Sequence, residues 1–341
     1  GDKMQSKALL LFSFLTLIYY SENSIWLREA KTTVPFSAVV QRENLDGFDT
    51  MLINGSVNGK NIATIRAVTT HRVLKKDTFV SLPVLVQLYL TNIGVYELAS
   101  GFIKDVPSLL MLDLGFNQIR RIRNGVFSGR FAALYRLALH NNEIEEIERR
   151  AFSNFSATYL SLSNNRLTLV GDWFKNTSLY SLDLTNNHIA FLVEDTFKKI
   201  ENLQVIELAM NRIQFIEPKT FTLTKYTFIN LSHNFLYDIN FLDRVASRSL
   251  DISYNQVSRI SLPHDVRIGT LTIYPNPWNC HCLHEFWRLA WKLRISYGFR
   301  FSEPKKSIPI CIYRNECHED DTQLQREYLK NLTMLNQMSY S

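Results

Sequence analysis

The sequence predicts an α/β solenoid. A curved parallel sheet should form its concave face, irregular or short helical turns its convex side, and a helical cap flanked by cysteines its C-terminal end. Three observations carry this. An eleven-residue pattern, L-x-x-L-x-L-x-x-N-x-L with apolar substitutions, returns nine times from Leu85 to Trp278. Rows of single Asn and Phe residues keep the same period. All four cysteines come after or at the end of the last copy.

The copies begin at Leu85, Leu109, Leu134, Ala157, Leu179, Leu203, Tyr226, Ser247 and Ile268, at spacings of 24, 25, 23, 22, 24, 23, 21 and 21 residues. A period of this length means one supersecondary unit repeated, since no single copy can bury its apolar face alone. The L-x-L alternation in each copy predicts a short strand with one face inward. The Asn row, Asn117, Asn142, Asn165, Asn187, Asn211, Asn234, Asn255 and Asn276, falls where the chain must turn under the strand. A buried amide there can serve backbone donors and acceptors of adjacent turns. In the first copy Ile93 takes the Asn position. A second row, Phe79, Phe102, Phe127, Phe152, Phe174, Phe197 and Phe221, predicts a core stack behind the sheet.

These motifs resemble the leucine-rich repeat family. The order N-P-W-N-C-H-C followed by Cys311 and Cys317 resembles the cysteine-flanked C-terminal cap of its extracellular members. The resemblance implies the disulfides Cys280–Cys311 and Cys282–Cys317. The residues alone allow three pairings, and also a zinc site drawing on His281 or His284. Between the cysteines, Phe286, Leu289, Ala290 and Leu293 share a helical face that should seal the last repeat. Many extracellular members carry cysteines at the N-terminal end too; this chain has none before Cys280.

The chain of 341 residues is 46% apolar with a net charge of +6, which fits a protein with a real core and shows no run of charge pointing to nucleic acid. Thirteen mostly apolar residues, Ala8–Tyr20, read as the hydrophobic region of an export signal and fall short of a membrane span. Asn-x-Ser/Thr triplets at Asn54, Asn154, Asn176, Asn230 and Asn331 fit export and glycosylation. The expected organisation is a signal peptide at 4–24, a cap without cysteines plus degenerate repeats at 25–84, repeats at 85–278, a cysteine-flanked cap at 279–317 and a polar amphipathic tail at 318–341. In that tail Leu324, Tyr328, Leu332 and Leu335 follow helical spacing.

No catalytic motif is present, and no cofactor is implied. Function is therefore expected on the concave face, toward an extracellular protein ligand. Its central outward row is Tyr89, Asp113, Ala138, Ser161, Asp183, Glu207, Asn230, Asp251 and Thr272, whose four acids suit a cationic partner. Large residues replace the usual small polar ones at Met111, Phe116, Arg136, His140 and Tyr159, on three successive predicted strands; these are the types enriched in interface cores. A second such group is Val205, Glu207, Met210, Phe228 and His233. A sugar on Asn230 would cover that second group and favour the first. The cap offers Arg288, Lys292, Arg294, Arg300, Lys305, Lys306 and Arg314 against three acids, an alternative site for anionic glycans or membrane lipids. The Phe-rich repeats and polar tail resemble secreted leucine-rich proteins of insect immunity, which implies extracellular recognition.

Overall fold

A computed structural model describes residues 26–28, 64–66, 72–127, 131–221, 226–259, 262, 266–298 and 311. The export signal, Asn54, Asn331, Cys317, the tail and the four cap basic residues Arg300, Lys305, Lys306 and Arg314 lie outside these residues. One sheet of twelve strands runs through the molecule, with strands in space in the order of the sequence. They are β1 (Trp26–Arg28), β2 (Thr64–Arg66), β3 (Gln87–Tyr89), β4 (Met111–Asp113), β5 (Arg136–Ala138), β6 (Tyr159–Ser161), β7 (Ser181–Asp183), β8 (Val205–Glu207), β9 (Tyr226–Asn230), β10 (Ala246–Asp251), β11 (Arg267–Thr272) and β12 (Ser296–Gly298). Every pairing is parallel except β1 with β2.

The register follows the apolar pattern. Leu88, Leu112, Leu137, Leu160, Leu182, Ile206, Ile229, Leu250 and Leu271 stand side by side and are all buried. Each such side chain is worth about 1.5–3 kcal/mol of burial. A slip of one residue in any strand would turn its apolar residue out, which is why the register is fixed.

The Asn ladder supplies the polar part of the core. Asn117 Oδ1 accepts from the N–H of Ile93 and of Val95, both at 3.1 Å, and its Nδ2 donates to the carbonyls of Leu90 and Leu114 at 2.7 and 2.9 Å. Asn187 repeats this with the Leu167 N–H and the Leu162 and Leu184 carbonyls. Asn276 ends the ladder against the N–H groups of Asn255 and Val257. Each amide thus stitches its own turn to the preceding one.

The Phe row forms a spine behind the sheet, and every member is buried. Ring centroids are 5.8 Å apart for Phe127–Phe152, 5.4 Å for Phe152–Phe174 and 5.6 Å for Phe197–Phe221, all stacked. Hydrogen-bonded strands sit closer, at about 4.8 Å. The backs of these copies are hydrogen-bonded as well, Phe152–Ser153 to Phe174–Lys175, and the main sheet lies on the concave side. Among the described residues the convex side is made of turns, two-residue strands such as Phe152–Ser153 and Phe174–Lys175, and one 3-10 segment, Asn240–Arg244.

At the C-terminal end, helix α1 (Cys280–Lys292) starts at Asn279, whose side chain accepts from the His281 N–H at 2.9 Å. Its buried face is Cys282, Leu283, Phe286 and Ala290, with Leu289 and Leu293 partly buried against the core. Trp278 is fully buried and donates from Nε1 to the Ile273 carbonyl at 3.1 Å. Cys280 and Cys311 form a disulfide. Cys282 is disulfide-bonded as well. Strand β12 then pairs with β11 and becomes the edge strand of the sheet at this end.

Candidate partner-binding face

Strand alternation sends two rows of side chains out of the concave sheet. The first contains Gln87, Met111, Arg136, Tyr159, Ser181, Val205 and Phe228, and the second is the row from Tyr89 to Thr272, in which Ala138 and Thr272 are buried.

Met111, Arg136 and Tyr159 are direct neighbours on β4, β5 and β6. Arg136 is exposed, while Met111 and Tyr159 are half-buried. The Tyr89 hydroxyl lies 3.5 Å from Met111 Sδ, tying β3 to this group. Phe116 and His140 do not lie on strands as expected: they follow β4 and β5 and form the rim. The chain has left the sheet there to enter the asparagine turn, and Phe116 adopts a left-handed φ of 57°. The two rings meet edge to face at 5.1 Å, and Phe116 is 55% exposed.

Two aromatic neighbours complete the patch. Tyr135, 52% exposed, meets Tyr159 with centroids 4.9 Å apart, and Tyr180 follows at 6.1 Å. A hydrogen bond with Tyr135, and that ring's like charge when ionised, hold the Tyr159 phenol above its usual range. Tyr135 and Tyr180 occupy the second position of L-x-x-L. The signal was present in the sequence, at a position just before the strand where no outward row is expected.

The acidic row has a local structural task. Asp113, Asp183 and Asp251 each accept from the backbone N–H two residues on, at Gly115, Thr185 and Ser253, at 2.9–3.0 Å. Asn230 does the same for Ser232, and its Nδ2 donates to Glu207 at 2.8 Å. These side chains shape the exit from each strand, which accounts for their recurrence without a ligand. Burial pushes the Glu207 carboxyl up; the Asn230 hydrogen bond opposes this, and Asp183 and Asp251 add to it.

In the second candidate group, Val205 and Phe228 are neighbours on β8 and β9, while Met210 and His233 lie on the rim with left-handed φ of 56° each. His233 stacks on Tyr254 with centroids 4.1 Å apart, a partner that the sequence did not single out. Burial pulls the His233 imidazole down, against Asp251.

The strand–turn unit, its Asn ladder and its spine are the features that define one repeat family, and the leucine rich repeat profile matches residues 177–236. The chain folds as a leucine-rich repeat protein. Human lumican is 30% identical over 206 residues, covering 58% of this chain and 54% of lumican. The chain thus spans about half the length of the curated relatives it matches. A chain of the mouse RP105/MD-1 complex superposes with a TM-score of 0.61 at 17% identity, covering 80% of this chain and 47% of that one. A chain of the Drosophila Toll–Spatzle complex superposes with a TM-score of 0.52 at 18% identity, covering 70% and 39%. At these identities the likeness is one of fold.

Elsewhere on this leucine-rich repeat, Asn154 and Asn176 are exposed behind the sheet, with Asn176 Nδ2 donating to Asn154 Oδ1 at 3.2 Å. Asn230 is half-buried on the concave face, but its sequon partner Ser232 is buried rather than directed outward with it, because the chain has begun its turn. On the cap, Arg288, Lys292 and Arg294 are exposed, and Trp291 is 81% exposed beside them. No helix among the described residues is long and apolar enough to cross a membrane.

Proposed function

We propose that this is a secreted leucine-rich repeat protein that recognises a protein partner through its concave face, in extracellular recognition of the innate-immune kind. The observation that carries this reading is the in-register row Met111–Arg136–Tyr159, flanked by Tyr135 and bordered by the exposed Phe116–His140 pair. Aromatic rings, Met and Arg held rigidly on adjacent strands form a surface that loses little entropy on binding. The RP105/MD-1 and Toll–Spatzle complexes hold chains of this fold against another protein. We assign glycans to Asn154 and Asn176, behind the sheet, where they leave this face open.

Replacing Arg136 and Tyr159 with Ala should reduce capture of the partner from extracellular fluid at least tenfold, with folding intact. Reversing the charge of Arg288 and Lys292 should change it little.

A second reading is adhesion through the cap. It is favoured by Trp291, which stands exposed beside Lys292 and Arg288 and offers anionic glycans an apolar ring next to cations. Under that reading the charge reversal abolishes binding, and salt elutes the partner readily.

A further inference from the structure

One flank of the solenoid lies past the asparagine turn, separate from the concave face. Its two-residue strands pair two by two. Val73–Leu74 pairs with Glu97–Leu98, and Arg121–Ile122 pairs with Glu146–Ile147. Beyond each pair the Ala99 N–H donates to the Leu74 carbonyl, and the Glu148 N–H to the Ile122 carbonyl, both at 2.9 Å. Between the two pairs this stitching stops. The Arg121 and Arg123 N–H groups and the Tyr96 and Leu98 carbonyls hold the equivalent positions and make no such bond.

A cleft of about 420 Å³ opens at this break, with Tyr96, Glu97 and Leu98 on one side and Arg120, Arg121 and Arg123 on the other. Beside it Gly94 stands where later copies carry Gln118, Glu143 and Arg166, and a Cβ there would meet nothing within 4 Å, so this approach stays open. The cleft is too narrow to take a strand of another chain. Inserting one needs about 9.6 Å between the flanking strands, twice the usual spacing. These two copies stay paired in the main sheet, and behind it the Phe102 and Phe127 ring centroids are only 6.3 Å apart.

We propose that this cleft binds an uncharged oligosaccharide. Its charges are already matched. Arg123 Nη1 lies 2.6 Å from Glu97 Oε1, Arg121 Nη2 2.6 Å from Glu146 Oε2, and Arg120 Nε 3.2 Å from Glu143 Oε2, while Glu145 adds a further carboxylate at the edge. The cleft therefore has no excess of positive charge to hold an anion, and a cation would compete with the arginines for their carboxylates. Such exposed pairs add little stability, but they hold donors and acceptors side by side. Each guanidinium carries five N–H groups and spends few of them on its pair. A sugar hydroxyl both donates and accepts, so neighbouring hydroxyls match a guanidinium beside a carboxylate, and equally the free Arg123 N–H beside the Leu98 carbonyl. Tyr96, 45% exposed, offers an apolar ring face to the C–H side of the sugar and a hydroxyl at its tip. A cleft of this volume is in the range of small-ligand sites and holds roughly one or two sugar rings. The site depends on neither the concave face nor the cap.

Saturation-transfer NMR of the full chain with lactose, maltotriose or triacetylchitotriose, each at about 5 mM, should show binding of at least one of them, through its ring C–H protons. Tyr96→Ala and Arg121→Met should each weaken that binding at least tenfold with an unchanged melting curve, since both side chains are exposed. Arg136→Ala on the concave face, and charge reversal at Arg288 and Lys292 on the cap, should leave it unchanged. Hydrogen exchange of the unaltered chain should slow at residues 121–123 when the sugar is added, a readout independent of any variant. Binding of none of the three sugars, binding that survives Tyr96→Ala, or binding of a sulfated heparin tetrasaccharide in their place would overturn the proposal.

Discussion

The imidazole of His140 lies over the α-carbon of Gly115, so close that a methyl group there would meet Cε1 at 2.6 Å and Nε2 at 2.7 Å. Other copies carry Ser163, Thr185, Ser232 and Ser253 at this position. Gly115 leaves room for the ring, and the ring in turn supports Phe116. Gly115→Ala should therefore fold with a stability change below about 1 kcal/mol, since the backbone there is ordinary and the imidazole can swing away. It should weaken partner capture severalfold, and His140→Ala should match it. Unchanged capture by both variants would remove the rim pair from the binding surface.

The ladder gives the sharpest stability contrast. Asn187→Ala leaves the Leu167 N–H unpaired in the core and takes one of two amide donors from each of the Leu162 and Leu184 carbonyls, which keep Asn165 and Asn211. It should cost at least about 2 kcal/mol in chemical denaturation. His188→Ala, at the next position and half-buried, should cost far less. Equal losses would show that the ladder amides are not what holds the turns.

Much of this architecture is legible in the sequence because strand register and turn position are set by period alone. Leu112, Leu137 and Leu160 can be aligned on paper, and Asn142 can be assigned to a buried turn from its spacing. The rim was not legible. Phe116, Met210, His233 and Tyr254 occupy left-handed positions where other copies place Asn92, Asn141, Asn164 and Asn186, and the strand pattern does not report backbone handedness. Such conformations disfavour bulky side chains by about 1 kcal/mol or more, so these side chains are held at some cost. The acidic row suits a cationic partner or plain repeat filler equally on paper, because a turn hydrogen bond two residues away leaves no mark on composition.

Glu207 supplies a pH test. Burial raises its carboxyl pKa in the folded chain, with Asp183 and Asp251 adding to the rise and Asn230 opposing it. A carboxyl raised on folding supports the fold below its unfolded pKa, and that support is lost as pH rises through the folded value. Glu207→Gln keeps an acceptor for Asn230. It should be more stable than the parent at neutral pH, with the gap closing as pH falls through the carboxylate range. A gap independent of pH, or a less stable variant at pH 7, would contradict this.

The Cys280–Cys311 bond spans 31 residues and closes the end of the sheet. Changing both to Ser should cost about 3–4 kcal/mol by restored chain entropy. Hydrogen exchange should accelerate first at β11 and α1, with β4 to β6 least affected. Labelling of the denatured, unreduced chain should find no thiol, and metal analysis no zinc. Four thiols or one stoichiometric zinc would sink the disulfide cap.

The concave patch as a protein-binding surface is tested most directly by a photo-crosslinking residue placed at Tyr159, compared with one at Lys175 on the exposed back of the same copy. Incubation in extracellular fluid followed by illumination should yield a covalent protein adduct from position 159 and none from 175, and Arg136→Ala should reduce the adduct at least tenfold. Adducts that form equally from both positions, or only from 175, would contradict recognition through the concave face.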